Sequence, residues 1–224
     1  MKRIVAVLLI GLLMVSLAAC GQKADTQATE ATEAEVISGG YTDTVSPVVT
    51  QEVKDLLTKA TEGLSSTEYI PVAFLGTQVV AGTNYLVLCK TAPITEDAKA
   101  TYALVTLYED LEGNVEITDV QASEAAAPVT AEDGSTLAGG YTEPETPEVT
   151  DEAQEALSKA CEGLSGASYE AKALLGTQVV AGTNYKLLCK VTTVTENEAS
   201  SYVIVTVYAD LEGNAEISET FDFD

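Results

Sequence analysis

Apolar residues in this chain follow a helical spacing in two short segments that lie 100 residues apart. In residues 53–64 and again in 153–164, apolar side chains recur every three or four positions, which is typical of one face of an α-helix. Thr50 and Thr150 stand just before these segments, and threonine is a good N-cap because its hydroxyl accepts a backbone N–H. The pattern predicts one amphipathic helix in each half of the chain.

The segments that follow each helix are rich in Val, Thr and Tyr, which is typical of β-strands. In the first half the predicted strands cover about residues 69–78, 83–91 and 101–110. Residues 111–114, Leu-Glu-Gly-Asn, then turn into a short fourth strand, because a Gly-Asn pair suits a tight hairpin. The second half repeats this order, so each half is predicted to pack one helix on an antiparallel sheet.

The two halves are copies of one sequence, and residues 39–120 align with residues 139–220 without gaps. All ten tyrosines form five pairs at a spacing of 100 residues. The eight letters QVVAGTNY stand unchanged at 78–85 and 178–185. Two copies are too few for a solenoid, so we predict two tandem globular domains of the α+β class.

Two segments of low apolar content precede and separate these domains. Residues 21–36 and 121–136 are rich in small and acidic residues, and we predict disorder because they cannot bury enough apolar surface to offset the entropy of ordering. The predicted layout is a tether at 21–36, a first domain at 37–120, a linker at 121–136 and a second domain at 137–224.

The first 20 residues have the form of a secretory signal peptide. Lys2 and Arg3 precede an apolar run at 4–15, which is too short for a membrane-spanning helix, and small residues follow it. Residues 17–20, Leu-Ala-Ala-Cys, resemble the lipobox of bacterial lipoproteins, which implies a lipid attached to Cys20. We expect an exported protein that is lipid-anchored at the bacterial cell membrane surface. The alternative is an ordinary signal peptide that ends at a cysteine by chance.

The acidic composition excludes several classes of function. The chain has 35 acidic and 11 basic side chains and a net charge of −24, so its surface repels phosphate backbones and we expect no nucleic-acid partner. It contains no histidine, which excludes a Ser-His or Cys-His nucleophile pair and a His-ligated zinc site. We therefore expect neither an enzyme nor a protein that holds a metal or a cofactor.

The repeated phrase falls at the reversal between the first two predicted strands, where Val-Val-Ala-Gly occupies residues 79–82. Hairpin tips usually carry Gly, Asn, Asp or Ser, because these residues fit turn dihedrals and interact with water. Each valine left in water forgoes about 1.5 kcal/mol or more of burial free energy. An apolar tip on an acidic protein indicates a partner surface. The alternative is that the valines fold back over the end of the sheet.

The phrase also carries a resemblance, because Gln-Val-Val-Ala-Gly fits the Q-x-V-x-G signature of the cystatin superfamily and QVVAGTNY is similar to the stefin form of that hairpin. Cystatins have a glycine, preceded by apolar residues, upstream of the helix. Ile-Ser-Gly-Gly at 37–40 and Leu-Ala-Gly-Gly at 137–140 stand at that place. The resemblance covers nearly all of 37–120 and 137–224, and it implies two cystatin-like domains that inhibit papain-like cysteine proteases reversibly.

In this family a wedge enters the active-site cleft, and it is formed by the glycine-containing segment, the first hairpin loop and a second hairpin loop. The resemblance implies that the glycine turns the chain away from the catalytic cysteine, that the residues before it fill substrate pockets, and that the tip excludes water. The protease-binding residues that it assigns are Ile37, Gly39, Gly40, Gln78, Val79, Val80, Ala81 and Gly82 in the first copy, and Leu137, Ala138, Gly139, Gly140, Gln178, Val179, Val180, Ala181 and Gly182 in the second.

The second loop departs from the pattern of many secreted cystatins, which place Pro-Trp there. This chain has no tryptophan, and its second loop is Leu-Glu-Gly-Asn at 111–114 and 211–214. Stefins also lack that pair, but Glu112 and Glu212 are expected to weaken the contact, and a plain turn is the alternative. Two other functions stay open, a non-inhibitory cystatin-fold binding or adhesion module and a self-associating protein. We expect a monomer, with a domain-swapped dimer as the alternative.

Three cysteines remain after Cys20. Cys189 alternates along its strand with Lys186 and Lys190, so it is predicted to face the helix together with its apolar neighbours Tyr185 and Leu187. Cys161 lies one turn beyond Leu157 on that helix. An exported protein can form disulfides, so a Cys161–Cys189 bridge is one interpretation and three unpaired core thiols are the other.

Overall fold

A computed structural model describes residues 40–94, 99–128, 140–194 and 199–224. Two antiparallel sheets, of five and four strands, and two helices make up this part of the chain, so the α+β class is confirmed. The predicted signal peptide with Cys20 and the tether at 21–36 lie outside these ranges. Five of the predicted binding residues also lie outside them, namely Ile37, Gly39, Leu137, Ala138 and Gly139.

Each copy consists of a short edge pairing, a helix and a four-stranded meander. The first copy comprises β1 (Thr42–Asp43), α1 (Gln51–Ala60), β2 (Thr67–Val80), β3 (Gly82–Pro93), β4 (Thr101–Glu109) and β5 (Val115–Ala126). The second comprises α2 (Asp151–Ala160), β6 (Ala167–Val180), β7 (Gly182–Thr193), β8 (Ser200–Ala209) and β9 (Ala215–Phe221), and a single bridge from Thr142 to Thr177 stands in place of β1. Strands pair in the orders β1-β2-β3-β4-β5 and β6-β7-β8-β9.

Both helices begin where the sequence predicts. The hydroxyls of Thr50 and Thr150 accept the backbone N–H groups of Val53 and Ala153, each at 3.3 Å. Gly63 takes a positive φ of 84° in the turn that follows α1, a conformation that glycine adopts without a steric penalty. Within the described ranges, neither helix is long and apolar enough to cross a membrane.

One face of each sheet packs against the helix of the same copy. In the second copy Leu157 of α2 lies in one buried cluster with Leu187 and Cys189, and Tyr185 packs against that cluster. The predicted orientation of these three strand residues is therefore confirmed. The first copy has the corresponding cluster around Leu57 of α1.

The opposite faces of the two sheets pack against each other, which gives four layers in the order helix, sheet, sheet, helix. Leu88 and Ile204 are fully buried in this shared core. Ala73 of β2 and Ala173 of β6 are also 0 % exposed there, and their small side chains suit the close approach of the two strands. Because both faces of these strands are apolar, the two copies share one core in place of the two separate globular domains that were predicted.

Strand β5 is longer than the predicted short fourth strand, and it continues into the predicted linker. Residues 121–126 belong to β5, and Ser123, Ala125 and Ala127 are buried. The linker interpretation is therefore wrong for this part of 121–136. Disorder was predicted here because the side chains are small, but small side chains are also those that fit between two closely packed sheets. From residue 129 onward the predicted linker lies outside the described residues.

Ion pairs join the two copies beside the shared core in a pseudo-twofold pattern. The Asp43 carboxylate accepts hydrogen bonds from Lys172 Nζ at 2.8 Å and from Lys190 Nζ at 2.9 Å, and Lys90 pairs with Glu143. Asp43 of the first copy thus pairs with Lys190 of the second, and the equivalent residues Glu143 and Lys90 form the reverse pair, as in an isologous interface. Burial raises the pKa of Asp43, but the hydrogen bonds and charges of the two lysines outweigh it and hold this pKa below its ordinary value.

Candidate functional site

The first hairpin turns at Ala81, so Val-Val-Ala-Gly forms the tip as predicted. Val80 pairs with Gly82 across the turn, and the second copy has the same register. The valines do not fold back over the sheet, and the tip presents apolar surface to solvent. The exposed fractions are 65 % for Val79, 45 % for Val80, 81 % for Val179 and 46 % for Val180.

Gln78 and Asn84 connect the two strands at the base of the tip. Asn84 Nδ2 donates to Gln78 Oε1 at 2.7 Å, and Asn184 donates to Gln178 at the same distance. The glutamine of the repeated phrase therefore has a structural role in the hairpin, besides the protease contact that the cystatin resemblance assigns to it.

Gly82 occupies a position where a side chain does not fit. Its φ is 135°, and a Cβ atom would lie 2.3 Å from the backbone oxygen of Glu109 and 2.8 Å from the ring of Tyr108. Gly182 has a φ of 130°, and a Cβ atom there would lie 2.2 Å from the backbone oxygen of Ala209. The last residue of Val-Val-Ala-Gly is thus fixed by the backbone of the neighbouring strand.

Tyr108 and Tyr208 fasten the tips to the neighbouring strands. The Tyr108 hydroxyl donates to the carbonyl of Ala81 at 2.6 Å, and the Tyr208 hydroxyl donates to the carbonyl of Ala181 at 2.6 Å. Neither tyrosine was predicted to have a role, although the conservation of all five tyrosine pairs between the two copies is a signal that could have found them. Because these bonds hold the tip in one conformation, a partner that binds it has less ordering entropy to overcome.

The second hairpin turn lies beside the tip, because β3 and β4 pair Thr83 with Glu109. Asp110 Oδ1 accepts the backbone N–H groups of Glu112 at 2.8 Å and Asn114 at 2.9 Å, and its Oδ2 accepts Asn114 Nδ2 at 2.7 Å. These hydrogen bonds, foremost that of the Asn114 side chain, lower the pKa of Asp110. The segment is a closed turn that its own side chains stabilise.

The second turn also exposes a leucine, which was predicted only as part of a small, acidic loop. Leu111 is 85 % exposed and Leu211 is 80 % exposed. The apolar surface of the tip is therefore accompanied by a second apolar side chain, next to Glu112 or Glu212. Among the described residues, no acidic or cysteine side chains cluster in a way that could hold a metal ion.

The N-terminal segment of each copy joins its sheet at the end where the hairpin tip lies. β1 pairs Thr42 with Thr77 in antiparallel fashion, so Gly40 precedes β1 on the side of the tip. The equivalent bridge of the second copy places Gly140 in the same way. The upstream apolar residues that the cystatin resemblance assigns lie outside the described ranges.

Three segments thus come together at one end of each sheet, in the order of the strands that carry them. We name as edge 1 the set formed by Gly40, residues 78–82 and residues 110–114. Edge 2 is the set formed by Gly140, residues 178–182 and residues 210–214. Each edge contains all the described members of the predicted protease-binding set of its copy.

The three cysteines within the described ranges, Cys89, Cys161 and Cys189, lie on the helix side of the sheets. Cys161 and Cys189 belong to one apolar cluster, Cys89 belongs to the equivalent cluster, and all three are free thiols, so the suggested Cys161–Cys189 disulfide is not formed. Burial raises the pKa values of Cys89 and Cys189 to about 12 and also raises that of Cys161. The thiolate that attacks in disulfide formation is therefore scarce at neutral pH.

Comparison with known proteins gives no match: no model of a known family fits the chain, and no curated protein matches it in sequence. The comparisons therefore assign no family. The resemblance to cystatins stays an interpretation of the residues.

Proposed function

We propose that the protein is a cell-surface inhibitor of papain-like cysteine proteases, exported and lipid-anchored through Cys20. Each copy acts as a cystatin-like domain, and edge 1 and edge 2 each enter the active-site cleft of a protease as a reversible wedge. The observation that carries the proposal is the exposed apolar tip, which lies between the segment that includes Gly40 and the second turn.

The apolar side chains of each edge favour a partner with an apolar cleft. Burial of Val79 or Val80 in such a cleft would stabilise the complex by about 1 kcal/mol for each side chain, because both are already partly buried in the free protein. Leu111 offers a similar gain on the adjacent turn, and it is the most exposed of the three. Each edge is narrow, because three chain segments lie side by side at the end of one sheet, and this shape suits insertion into a cleft.

The tight hairpin supports inhibition rather than cleavage. A protease cleaves a segment that lies extended across its active site, whereas the tip is closed by the hydrogen bonds of Tyr108 and Asn84. A tip held in this way can fill the cleft without placing a peptide bond in the extended geometry. The proposed activity needs no catalytic residue.

A second candidate function is a non-inhibitory cystatin-fold binding or adhesion module. The observation that favours it is the acidic side chain of Glu112 beside the exposed Leu111, on a chain with a net charge of −24. This combination suits a basic partner surface, because complementary charges steer association and select the partner.

The test is a titration of papain with the mature chain from residue 20, carrying Cys20→Ser in place of the lipid site. We expect inhibition, and we expect the double variant Val80→Asp, Val180→Asp to bind at least a hundredfold more weakly. Burying an unpaired carboxylate in an apolar cleft costs several kcal/mol, which is enough for that loss. A monomer by light scattering would argue against self-association.

Val45→Asp is the matched control. Val45 is fully exposed and lies outside both edges, and the second copy already has Glu145 at the equivalent position. We expect this variant to inhibit as the parent chain does. Equal weakening by the control would mean that added charge alone disturbs binding. Absence of any inhibition by the parent chain would contradict the proposal and leave the binding module as the better account.

A further inference from the structure

The ion pairs between the copies determine the relative direction of edge 1 and edge 2. Asp43 pairs in register with Gly76, which is five residues from the tip of edge 1. Its ion-pair partner Lys190 pairs in register with Glu170, which is eleven residues from the tip of edge 2. This ion pair therefore lies closer to the tip of edge 1 than to the tip of edge 2.

The reciprocal ion pair has the opposite order. Lys90 pairs in register with Ile70, eleven residues from the tip of edge 1, and its partner Glu143 follows Thr142, which bridges to the strand close to the tip of edge 2. Suppose that the strands of both copies ran toward their tips in the same direction. The Asp43–Lys190 pair would then place the tip of edge 2 beyond that of edge 1, and the Lys90–Glu143 pair would place the tip of edge 1 beyond that of edge 2, which is a contradiction. Strands that run the same way cannot satisfy both ion pairs, whereas strands that run in roughly opposite directions can, so edge 1 and edge 2 lie at opposite ends.

We propose that one molecule of the protein binds two protease molecules at the same time, one at each end. This inference rests on the proposed function of the edges. The two tips are about sixteen strand residues apart, or about 50 Å at the usual rise of a strand. A compact partner of about 200 residues has a radius of gyration of about 16 Å. Two such partners on outward-facing ends do not meet.

The shared core makes the separation of the two bound proteases a fixed quantity. Lys186 Nζ donates to the carbonyl of Ala126 in the other copy at 2.8 Å, and it lies 4.5 Å from the centre of the Tyr141 ring. Together with the three ion pairs of Asp43 and Glu143 and the packed sheets, this contact holds the copies as one body. A single protease molecule therefore cannot contact edge 1 and edge 2 at the same time, and the two binding events are independent.

The experiment measures how many papain molecules each chain binds. Active-site-titrated papain is added to the mature Cys20→Ser chain, and the mass of the complex is read by size-exclusion chromatography with light scattering. We expect two papain molecules per chain. We expect one per chain for Val80→Asp alone, one for Val180→Asp alone and none for the double variant, with unchanged melting temperatures for all.

The outcomes separate this inference from the proposed function. Saturation at one papain per chain, with both single variants still binding one, would mean that the edges exclude each other. That result overturns the inference and leaves the inhibitor proposal in place. Loss of all binding in one single variant, with no change in the other, would mean that one edge is inactive and overturns it too. Failure of the parent chain to bind papain would overturn both.

Discussion

The two tips have the same sequence, but the strands that support them differ, and this comparison separates structural constraints from functional ones. Tyr85 donates its hydroxyl to Glu109 at 3.1 Å, whereas the second copy has Ala209 at the equivalent position and cannot form that bond with Tyr185. The bond that closes the tip is nevertheless 2.6 Å long in both copies. The tip geometry has thus been kept while its surroundings changed.

Within the repeated phrase, only some letters have a structural explanation. Gln78 and Asn84 are hydrogen-bonded to each other, and glycine is the only residue type that fits at position 82. Val79 and Val80 are exposed, and nothing in the fold requires valine there. Their repetition is therefore the part of the phrase that binding explains best.

The largest effect is expected at the glycine, where structure alone sets the residue. Gly82→Ala should lower the free energy of unfolding by about 3 kcal/mol or more, because the positive φ is strained for alanine and its Cβ atom meets backbone. Gly113→Ala is the control, since Gly113 has a φ of 84° but open space around its Cβ position. It should cost only about 1–2 kcal/mol. Chemical denaturation measures both, and equal losses would show that the obstruction at Gly82 relaxes.

Much of the fold within each copy could be predicted from the sequence because its signals are local. The Thr50 cap, the helical spacing and the alternation around Leu187 each act within a few residues, and the structure confirms them. The tip could be placed for the same reason, since the reversal between strands falls at Ala81.

The contact between the copies could not be predicted from the same signals. Lys186 and Lys190 alternate with apolar residues, which suggests a face in water, but Lys186 is only 6 % exposed and Lys190 is paired with Asp43 of the other copy. From the sequence alone, a lysine that is buried against a distant partner cannot be told from a lysine at the surface. The signal in the sequence is the apolar run at 102–105, because a strand buried on both faces has no polar alternation.

The ion pairs between the copies should differ in strength, because Asp43 binds two lysines and Glu143 binds one. Asp43→Asn should cost about 1–2 kcal/mol of unfolding free energy, and Glu143→Gln about half as much, after allowance for partial exposure of both pairs. Thermal or chemical denaturation of the two variants measures the difference. Equal costs would mean that the second lysine contributes nothing.

The same carboxylate gives a pH dependence. The pKa of Asp43 is lowered in the folded state, so its stabilising contribution is present above the unfolded value of about 3.9 and is lost as the pH falls through the lower folded value. The stability difference between the parent chain and Asp43→Asn should therefore be constant near neutral pH and shrink below about pH 4. A difference that does not change with pH would show that the carboxylate does not act through its charge.

A smaller effect is expected from the tyrosine that the two copies support differently. Tyr85→Phe should cost about 0.5–1 kcal/mol because it removes the bond to Glu109, and Tyr185→Phe should cost clearly less. Burial and the Glu109 carboxylate together raise the pKa of Tyr85 to about 12. Glu109→Ala, which copies the second repeat, should lower that pKa in an absorbance titration. No change in the titration would show that burial alone sets it.

The smallest effect is expected at Cys161, where the first copy has Thr61. The Thr61 hydroxyl donates to the carbonyl of Leu57 at 2.8 Å, so threonine already serves at the end of a helix in this fold. Cys161→Thr should change the free energy of unfolding by no more than about 0.5 kcal/mol. In the native chain Cys161, which is only partly buried, should react with iodoacetamide first, while Cys89 and Cys189 should react only after unfolding because both are fully buried. Mass spectrometry of the labelled peptides gives the order, and Cys161→Thr should remove the first label alone. Native labelling of Cys189 at the rate of Cys161 would mean that α2 opens away from its sheet, and the helix face of the second copy would then be less stable than that of the first.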